Sequence, residues 1–161
     1  MSTPPPEPTE LSELHSDNPG FELRWTPDDE FLLPIRNGLR AYNDAQVGPM
    51  RRRIFAIRVR DAAGTVTAGL YGWLGEGWLY TDWLWVAEDQ RRTGLGARVL
   101  RAAEDFARNQ GTRHARLSTA SFQAKPFYLK LGYEVFAELP IDTPDSPGEF
   151  RHREYFLRKT L

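Results

Sequence analysis

The residues most suited to chemistry form a short basic loop, Arg91-Arg92-Thr93-Gly94-Leu95-Gly96, between an apolar stretch and a helix-like stretch. The first N–H groups of a helix have no partner inside it and carry partial positive charge, so a helix start attracts anions. Gly94 and Gly96 have no side chains that would block a phosphate. Arg91 and Arg92 add charge suited to phosphate oxygens. The loop therefore predicts an anion site at a helix N-terminus.

Two common nucleotide-binding loops do not fit this stretch. A dinucleotide fingerprint, G-x-G-x-x-G, would need a third glycine where the chain has Val99, and the Lys-Ser/Thr pair of a Walker loop is absent. The pattern present is Gln/Arg-x-x-Gly-x-Gly, from Arg91 to Gly96. Taken alone, this pattern also fits an ordinary turn from a strand to a helix.

A second candidate for chemistry is Asp82, which lies in an aromatic strand with Tyr80, Trp83 and Trp85. A carboxylate buried there without a partner would be costly, and desolvation would raise its pKa toward that of a useful base. The alternative is a salt bridge to an arginine such as Arg53. Tyr80, two residues earlier on the same face, is expected to line a substrate pocket or relay a proton. We expect Trp83 and Trp85 in the core.

The loop must be held by the elements on either side of it. Alternating apolar and polar residues predict strands, and glycines mark the ends of the predicted helices. A helix that connects two neighbouring strands implies that those strands are parallel. The predicted elements here are a strand at Trp78–Val86, a helix at Leu95–Asn109, a strand at His114–Ala120 and a helix at Gln123–Leu131.

Further elements are expected on both sides of this segment. The cap Thr26 followed by Pro27 predicts a helix that runs to about Tyr42. Alternation and turn residues predict strands at Phe21–Trp25, Arg52–Arg60, Thr65–Leu74, Tyr133–Leu139 and Glu154–Leu161. Together these elements predict an α/β fold with helices on the faces of a mixed sheet. In chain order, the first strands are antiparallel and the later ones are locally parallel.

Composition narrows the class of protein. The 161 residues predict a Pro-rich mobile tail at 1–20 and a single domain at 21–161. The net charge of −1 disfavours a general nucleic-acid or anionic-membrane binder. No Cys is present, so thiolate metal sites and Cys nucleophiles are excluded, and we expect no metal. The first residues do not resemble a signal peptide, so a cytoplasmic location is expected.

A second motif adds a family resemblance. Ala124 to Tyr133 reads A-x-x-x-Y-x-K/R-x-G-F/Y, and with the Arg91–Gly96 loop it resembles the GCN5-related N-acetyltransferase (GNAT) superfamily. The resemblance covers Phe21–Leu161, and Glu154–Lys159 is similar to a bacterial branch whose substrates are mostly unassigned. It implies a mostly antiparallel sheet of six to seven strands, splayed at two central parallel strands and flanked by helices. It also implies acetyl-CoA as co-substrate.

The same resemblance implies site residues. The backbone of Leu84, Trp85 and Val86 would pair with the pantetheine amides, and the loop would bind the pyrophosphate. The implied cofactor-binding residues are those three with Arg91, Arg92, Thr93, Gly94, Leu95, Gly96, Ala97, Ser121 and Tyr128. Many members have Asn where this chain has Ser121, and a hydroxyl reaches less far. His114 and His152 have no motif around them and are expected to be solvated or structural.

The catalytic residues expected from the resemblance are Tyr128 and Asp82. A phenol with a pKa of about 10 is protonated at neutral pH and can donate a proton to a leaving thiolate. The same spacing also suits a core aromatic in an apolar helix. Asp82 would be the base, and with Tyr80 it would contact the substrate.

The resemblance implies acetyl transfer to a primary amine by direct attack, since an acetyl-Cys intermediate is impossible without Cys. A small or antibiotic-like amine is favoured as acceptor, and a protein lysine stays open. The alternatives are a non-catalytic acyl-CoA sensor on the same fold and, less favoured by charge, a nucleic-acid module that uses the Arg runs. The late strands also suggest a homodimer.

Overall fold

The structure is a computed structural model that describes residues 20–161. These residues fall into two compact units, with the boundary between Pro49 and Met50. The predicted Pro-rich tail lies outside the described residues, apart from Gly20. The single domain at 21–161 stays a prediction.

The first unit contains helix α1, Asp29–Val47. Its N-cap is Asp28, whose side chain accepts a hydrogen bond of 2.8 Å from the N–H of Phe31. The predicted cap, Thr26, is therefore two residues too early, and the helix continues past Tyr42. The strand predicted at Phe21–Trp25 is wrong, because this segment forms no strand in the structure.

The second unit is a six-stranded sheet in the order β1-β2-β3-β4-β6-β5, with two helices. The β3–β4 pair is parallel and every other pair is antiparallel. This mixed sheet confirms the predicted fold class. The elements are β1 Arg53–Arg60, β2 Val66–Gly75, β3 Trp78–Val86, α2 Leu95–Asn109, β4 His114–Ala120, α3 Lys125–Lys130, β5 Glu134–Ile141 and β6 His152–Thr160.

The core lies between α2 and the middle of the sheet. The apolar stripe of α2 includes Leu100 and Ala103, which are fully buried. It packs with buried strand residues such as Leu70, Leu79 and Leu157. A helix with one apolar stripe is stable when a sheet covers that stripe, so the sequence of α2 determines which side faces the sheet.

A β-bulge interrupts β3 at Asp82. Across the β2–β3 pair, Tyr71 is opposite Trp83 and Gly72 is opposite Thr81, so Asp82 is the extra residue. An extra residue reverses which side chains face each side of the sheet. Before the bulge Thr81 is buried, whereas after it Trp83 is 69% exposed.

The bulge overturns three expectations about this strand. Trp83 and Trp85 are exposed and do not belong to the core. Asp82 is exposed, whereas the sequence predicted burial among aromatic residues. Asp82 also forms no salt bridge with Arg53, whose guanidinium donates to Gln110 at 2.9 Å.

The parallel pairing of β3 with β4 ends one residue before the bulge. It runs from Trp78 opposite His114 to Thr81 opposite Leu117. Both strands continue beyond this point, β3 to Val86 and β4 to Ala120. The two strands therefore separate into a wedge, and from Asp82 onward β3 has a strand partner on its β2 side alone. This is the splay that the family resemblance implied.

Gly72 is required where the bulge begins. A Cβ built on Gly72 would lie 2.2 Å from the carbonyl oxygen of Tyr80. That separation is far below van der Waals contact, so a side chain here would push β2 and β3 apart. The close approach explains a glycine inside a strand, a place where glycine is otherwise unfavourable.

A buried ion pair ties α2 to β6. Glu104 is 2% exposed, and both of its carboxylate oxygens accept from Lys159 Nζ at 2.8 and 2.9 Å. Arg108 approaches the same carboxylate at 3.8 Å. Removing one partner of such a pair leaves an uncompensated charge, so the pair strongly constrains the packing of the helix on the late strands.

We expect Lys159→Met to lower the free energy of unfolding by about 3 kcal/mol, because the Glu104 carboxylate would stay buried without its partner. The neighbouring variant Arg158→Met is the control, since it removes an exposed pair with Glu134, whose contribution is typically about 0–1 kcal/mol. Urea unfolding measures both. Equal losses in the two variants would contradict the importance of the buried pair, and Glu104→Leu combined with Lys159→Met should recover most of the stability.

Candidate functional site

The basic loop folds into an anion-binding turn. After β3 a single 3₁₀ turn, Glu88–Gln90, leads into the loop. Arg92 and Gly94 both have left-handed backbone, with φ of 65° and 85°. Residues in this conformation point successive N–H groups into a concave surface that suits anions. The hydroxyl of Thr93 donates to the carbonyl of Gln90 at 2.8 Å and holds the turn closed.

The loop is fixed to the end of β3 and to α3. Arg91 Nε donates to the carbonyl of Val86 at 3.2 Å. A Cβ built on Gly96 would lie 3.3 Å from the Val86 side chain and 3.5 Å from that of Phe127. The first turn of α2 therefore approaches both neighbours closely, and glycine keeps space open beside its unpaired N–H groups.

A cavity of about 640 Å³ joins the loop to β3 and α3. It is lined by Leu84, Trp85, Val86, Gln90, Arg91, Arg92, Gly94, Gly96, Ala97, Ala124, Phe127, Tyr128, Lys130 and Leu131. One end carries the arginines and the helix start, and apolar side chains line much of the rest. A cavity of this shape and chemistry suits a long ligand with an anionic part and a less polar arm.

Most of the predicted cofactor residues meet in this cavity. Leu84, Trp85, Val86, Arg91, Arg92, Gly94, Gly96, Ala97 and Tyr128 all line it, whereas Thr93, Leu95, Ser121, Tyr80 and Asp82 do not. Sequence reasoning missed Gln90, Ala124, Phe127, Lys130 and Leu131. The spacing of Ala124, Phe127 and Leu131 is three and four residues, so a helical stripe beside Tyr128 was a signal for three of them.

Tyr128 presents a neutral phenol beside the cavity. Its side chain is buried on α3 and packs edge-on against Phe127, with ring centroids 5.0 Å apart. Burial raises the pKa of Tyr128 above its ordinary value of 10.0. Burial, followed by the charge of Glu104, also raises the pKa of Tyr133. Tyr128 therefore holds its proton throughout the neutral range and can act as a donor.

Tyr80 and the buried Thr81 lie on opposite faces of β3. The ring of Tyr80 packs against another aromatic ring and an arginine side chain. This ring is parallel to that of Trp73 at 3.5 Å, and the guanidinium of Arg116 lies 4.7 Å from its centroid. Burial and the nearby charge of Glu76 raise the pKa of Tyr80. Its hydroxyl donates to Glu76 at 3.3 Å, so Tyr80 is held in place with its proton engaged.

A polar cluster lies where β4 ends. The hydroxyl of Ser121 is 3.2 Å from His152 Nδ1 and accepts from the N–H of Arg153 at 3.3 Å. The other ring nitrogen, His152 Nε2, is 3.2 Å from Asp145 Oδ2. Ser121, predicted as a cofactor residue, thus has its hydroxyl engaged by β6. The sequence could not predict the contact between Ser121 and His152, because the two residues are far apart in the chain.

The described residues hold neither a membrane helix nor a metal cluster. Within residues 20–161, no helix is long and apolar enough to cross a membrane. No group of three or more His, Asp or Glu side chains with the geometry of a metal site occurs in the same range.

Comparison with known proteins identifies the class. A mixed sheet opened between two parallel strands, as in this chain, is the architecture of GNAT-type N-acetyltransferases. The chain belongs to the acetyltransferase (GNAT) family, whose model matches residues 10–133. The resemblance and the prediction of an N-acetyltransferase enzyme are thereby confirmed, which disfavours the non-catalytic sensor.

Relatives of similar length support this assignment. An acetyltransferase of Agrobacterium fabrum is 34% identical over 119 residues, which cover 74% of this chain and 87% of that protein. The blasticidin-S acetyltransferase of Streptomyces morookaense is 36% identical over 128 residues, which cover 79% of this chain and 90% of that protein. A crystal structure of a candidate acetyltransferase from Agrobacterium tumefaciens is 30% identical with a TM-score of 0.77, and the match covers 88% and 99% of the two chains.

The burial of Tyr128 makes stability depend on pH in the alkaline range. Its folded-state pKa is raised, so the stabilisation is fully present below the unfolded value of about 10 and falls as pH rises through the folded value. We expect Tyr128→Phe to unfold with a shallower loss of stability between about pH 9.5 and 11.5 than the unmodified protein.

Urea unfolding at a series of pH values measures this dependence. Tyr42→Phe is the control, because it removes the hydroxyl of an exposed tyrosine. The same alkaline slope in Tyr128→Phe and in the unmodified protein would show that Tyr128 is not buried in solution.

Proposed function

We propose that this N-acetyltransferase takes its acetyl group from acetyl-CoA and transfers it to the primary amine of a small molecule by direct attack. The observation that carries the proposal is the cavity that connects the Arg91–Gly96 loop, the unpaired edge of β3 and Tyr128. An anion site, an extended backbone edge and a proton donor in one cavity match the three parts of a CoA thioester.

The residues present fit CoA. Arg91, Arg92 and the left-handed turn at Gly94 would hold the pyrophosphate, and the absence of a side chain at Gly96 leaves room at the helix start. Beyond the bulge, Leu84–Val86 have no partner on the β4 side, apart from the Arg91 side chain at the Val86 carbonyl. This edge would take the pantetheine amides as an added strand would. The thioester supplies an activated acetyl group.

Tyr128 is proposed as the general acid. Because its pKa is raised by burial, the phenol keeps its proton until a strong base is close to it. A departing thiolate is such a base. Asp82, the bulged residue at the mouth of the wedge, is exposed, and its role as the base for the amine stays a prediction.

A small, antibiotic-like amine is the proposed acceptor. The support is the 36% identity with a blasticidin-S acetyltransferase over most of both chains. The exposed ring of Trp83, stacked on Tyr71 with centroids 4.7 Å apart, offers an aromatic face near the wedge for a planar or cationic group. A protein lysine stays an alternative acceptor. The homodimer and the cytoplasmic location also stay predictions.

A panel of amines assayed for acetyl-CoA-dependent thiol release tests the activity, with mass spectrometry of the acetylated product. The panel should contain small amines, aminonucleoside and aminoglycoside antibiotics and a lysine peptide. We expect turnover with at least one small amine. Acetylation of the peptide alone would contradict the small-molecule acceptor, and no turnover with any amine would contradict the proposed function.

Tyr128→Phe tests the acid. We expect kcat to fall about 100-fold at saturating acetyl-CoA, with little change in the KM for acetyl-CoA, because general-acid catalysis typically contributes about 10²–10⁴-fold. Tyr133→Phe is the matched control, since it removes the hydroxyl of another buried tyrosine, beside Glu104, that does not line the cavity. An unchanged kcat in Tyr128→Phe would defeat the assignment.

Gly96→Val tests the location of CoA independently of turnover. The added side chain would occupy the space beside Val86 and Phe127 at the start of α2, so CoA should bind at least about tenfold more weakly, a loss of about 1.4 kcal/mol. Isothermal titration calorimetry measures binding, and unfolding checks that the variant is folded. Ala102→Val, on an exposed position of the same helix, is the control. Equal affinity in both variants would place CoA elsewhere.

A further inference from the structure

The cluster lies at the end of β4, the strand that forms one side of the wedge. Leu117 is the last residue of β4 that pairs with β3, and Ser121 follows four residues later. At about 3.3 Å per residue, Ser121 lies roughly 13 Å further along the diverging strand. Its turn is compact, because the Gln123 side chain accepts from the N–H of Ala120 at 2.8 Å. Ala124, at the other end of the turn, lines the cavity.

The cluster is also held in a defined arrangement. Strand β6 positions His152 because Ser121 N–H donates to the carbonyl of Arg153 at 2.8 Å. Phe122 packs edge-on against the imidazole, with ring centroids 5.2 Å apart. The loop that carries Asp145 is closed by hydrogen bonds of its own, including one of 2.7 Å from the N–H of Gly148 to Asp142.

The hydrogen bonds determine which nitrogen of His152 carries a proton. Hydrogen bonds from Thr143 and His152 lower the pKa of Asp145, so its carboxylate is ionised and can only accept. In the neutral imidazole, His152 Nε2 must then donate to Asp145, which leaves the lone pair of Nδ1 directed at Ser121. The hydroxyl of Ser121 therefore donates to Nδ1.

Ser121 has one free acceptor position in this arrangement. A hydroxyl has one proton and two lone pairs. The proton goes to His152, and one lone pair accepts from the N–H of Arg153. The remaining lone pair is available to an N–H group of a ligand. Other charged groups nearby have their own partners: Arg153 pairs with Glu138 of β5, and Arg151 pairs with Glu149 of the loop.

We propose that Ser121, His152 and Asp145 form the proton relay that deprotonates the acceptor ammonium. The relay rests on the proposed transfer of an acetyl group to an amine. Ser121 contacts the amine, His152 takes up the proton through Ser121, and Asp145 stabilises the imidazolium. The structure thus offers a partnered base in place of Asp82, which is exposed and has no hydrogen bond to its carboxylate among the described residues.

The proton and bond changes balance. One ammonium proton passes to Ser121 Oγ while the hydroxyl proton of Ser121 passes to His152 Nδ1, so Ser121 ends unchanged and His152 becomes charged. The free amine forms a C–N bond with the acetyl carbon, the C–S bond breaks, and the second amine proton leaves with solvent. Tyr128 protonates the thiolate. Solvent then returns a proton to Tyr128 and removes one from His152.

The test compares His152→Gln, Ser121→Ala and Asp82→Asn with a matched histidine control, His114→Gln. His114 stacks on Trp78 at 4.9 Å, at the opposite end of β4. We expect His152→Gln and Ser121→Ala to lower kcat/KM for an alkylamine about 100-fold at pH 7. The loss should shrink to less than about tenfold near pH 10, where the amine, with a pKa of about 10.4, is partly deprotonated already.

The second part of the test compares amines that differ in pKa. An amine whose pKa lies below 6 arrives without its extra proton, so His152→Gln should reduce its acetylation less than about threefold at pH 7. Ser121→Thr, which keeps the hydroxyl, should restore most of the activity lost in Ser121→Ala. A merely structural role would give the same loss at every pH and with every amine, and that result would overturn the relay.

The remaining outcomes separate the relay from the proposed function. No turnover by the unmodified protein with any amine would contradict both. Full turnover in His152→Gln, or a pH-dependent loss confined to Asp82→Asn, would contradict the relay alone. Independently of activity, ¹⁵N NMR of the imidazole at pH 8 should show His152 protonated at Nε2. Protonation at Nδ1 would overturn the arrangement.

Discussion

The separation of two parallel strands is the constraint on which the rest of this structure depends. β3 and β4 pair for four residues and then diverge where Asp82 enters as a bulge. Unpaired backbone groups in a protein interior are costly, so a wedge in the middle of a sheet is stable only if something else satisfies them. Solvent or an extended ligand can do so. The wedge is therefore the place where an extended ligand could pair with the backbone of β3.

Several features of the chain follow from this wedge. Gly72 permits the close approach that the bulge requires, and Gly96 brings the start of α2 against the end of β3. The arginine loop then lies at one end of the opening, with Tyr128 on the wall formed by α3. On the other side of the opening, the end of β4 leads directly into Ser121 and its contact with β6. The proposed cofactor site and the proposed proton relay thus both depend on this opening.

The stability of this arrangement comes from the packing of α2 on the sheet and from a buried ion pair. The apolar stripe of α2 covers the paired part of the sheet, and the buried pair of Glu104 with Lys159 joins that helix to β6. Neither Glu104 nor Lys159 lines the cavity, so this anchor is separate from the opening.

Much of the fold and the cofactor side of the site could be predicted from local patterns. Strand β3, helix α2 and strand β4 have the bounds that alternation, glycine and capping residues indicated, because local periodicity is decided by which faces are apolar. The motif around Tyr128 and the arginine loop also lie where their spacing implied. Trp83 and Trp85 were placed on the wrong side, since one bulge reverses the alternation and no local pattern reports it. Asp82 was expected to be buried and is exposed.

The sequence by itself determined the class of fold, the anion-binding loop and the buried phenol, because each depends on residues close together in the chain. Only the tertiary structure decided where β3 leaves β4, which side chains face the opening, and that Ser121, His152 and Asp145 meet. Those residues belong to a turn, a strand and a loop separated by up to 31 positions. Their contact is created by the antiparallel register of β4 with β6, and register is a property of the assembled sheet.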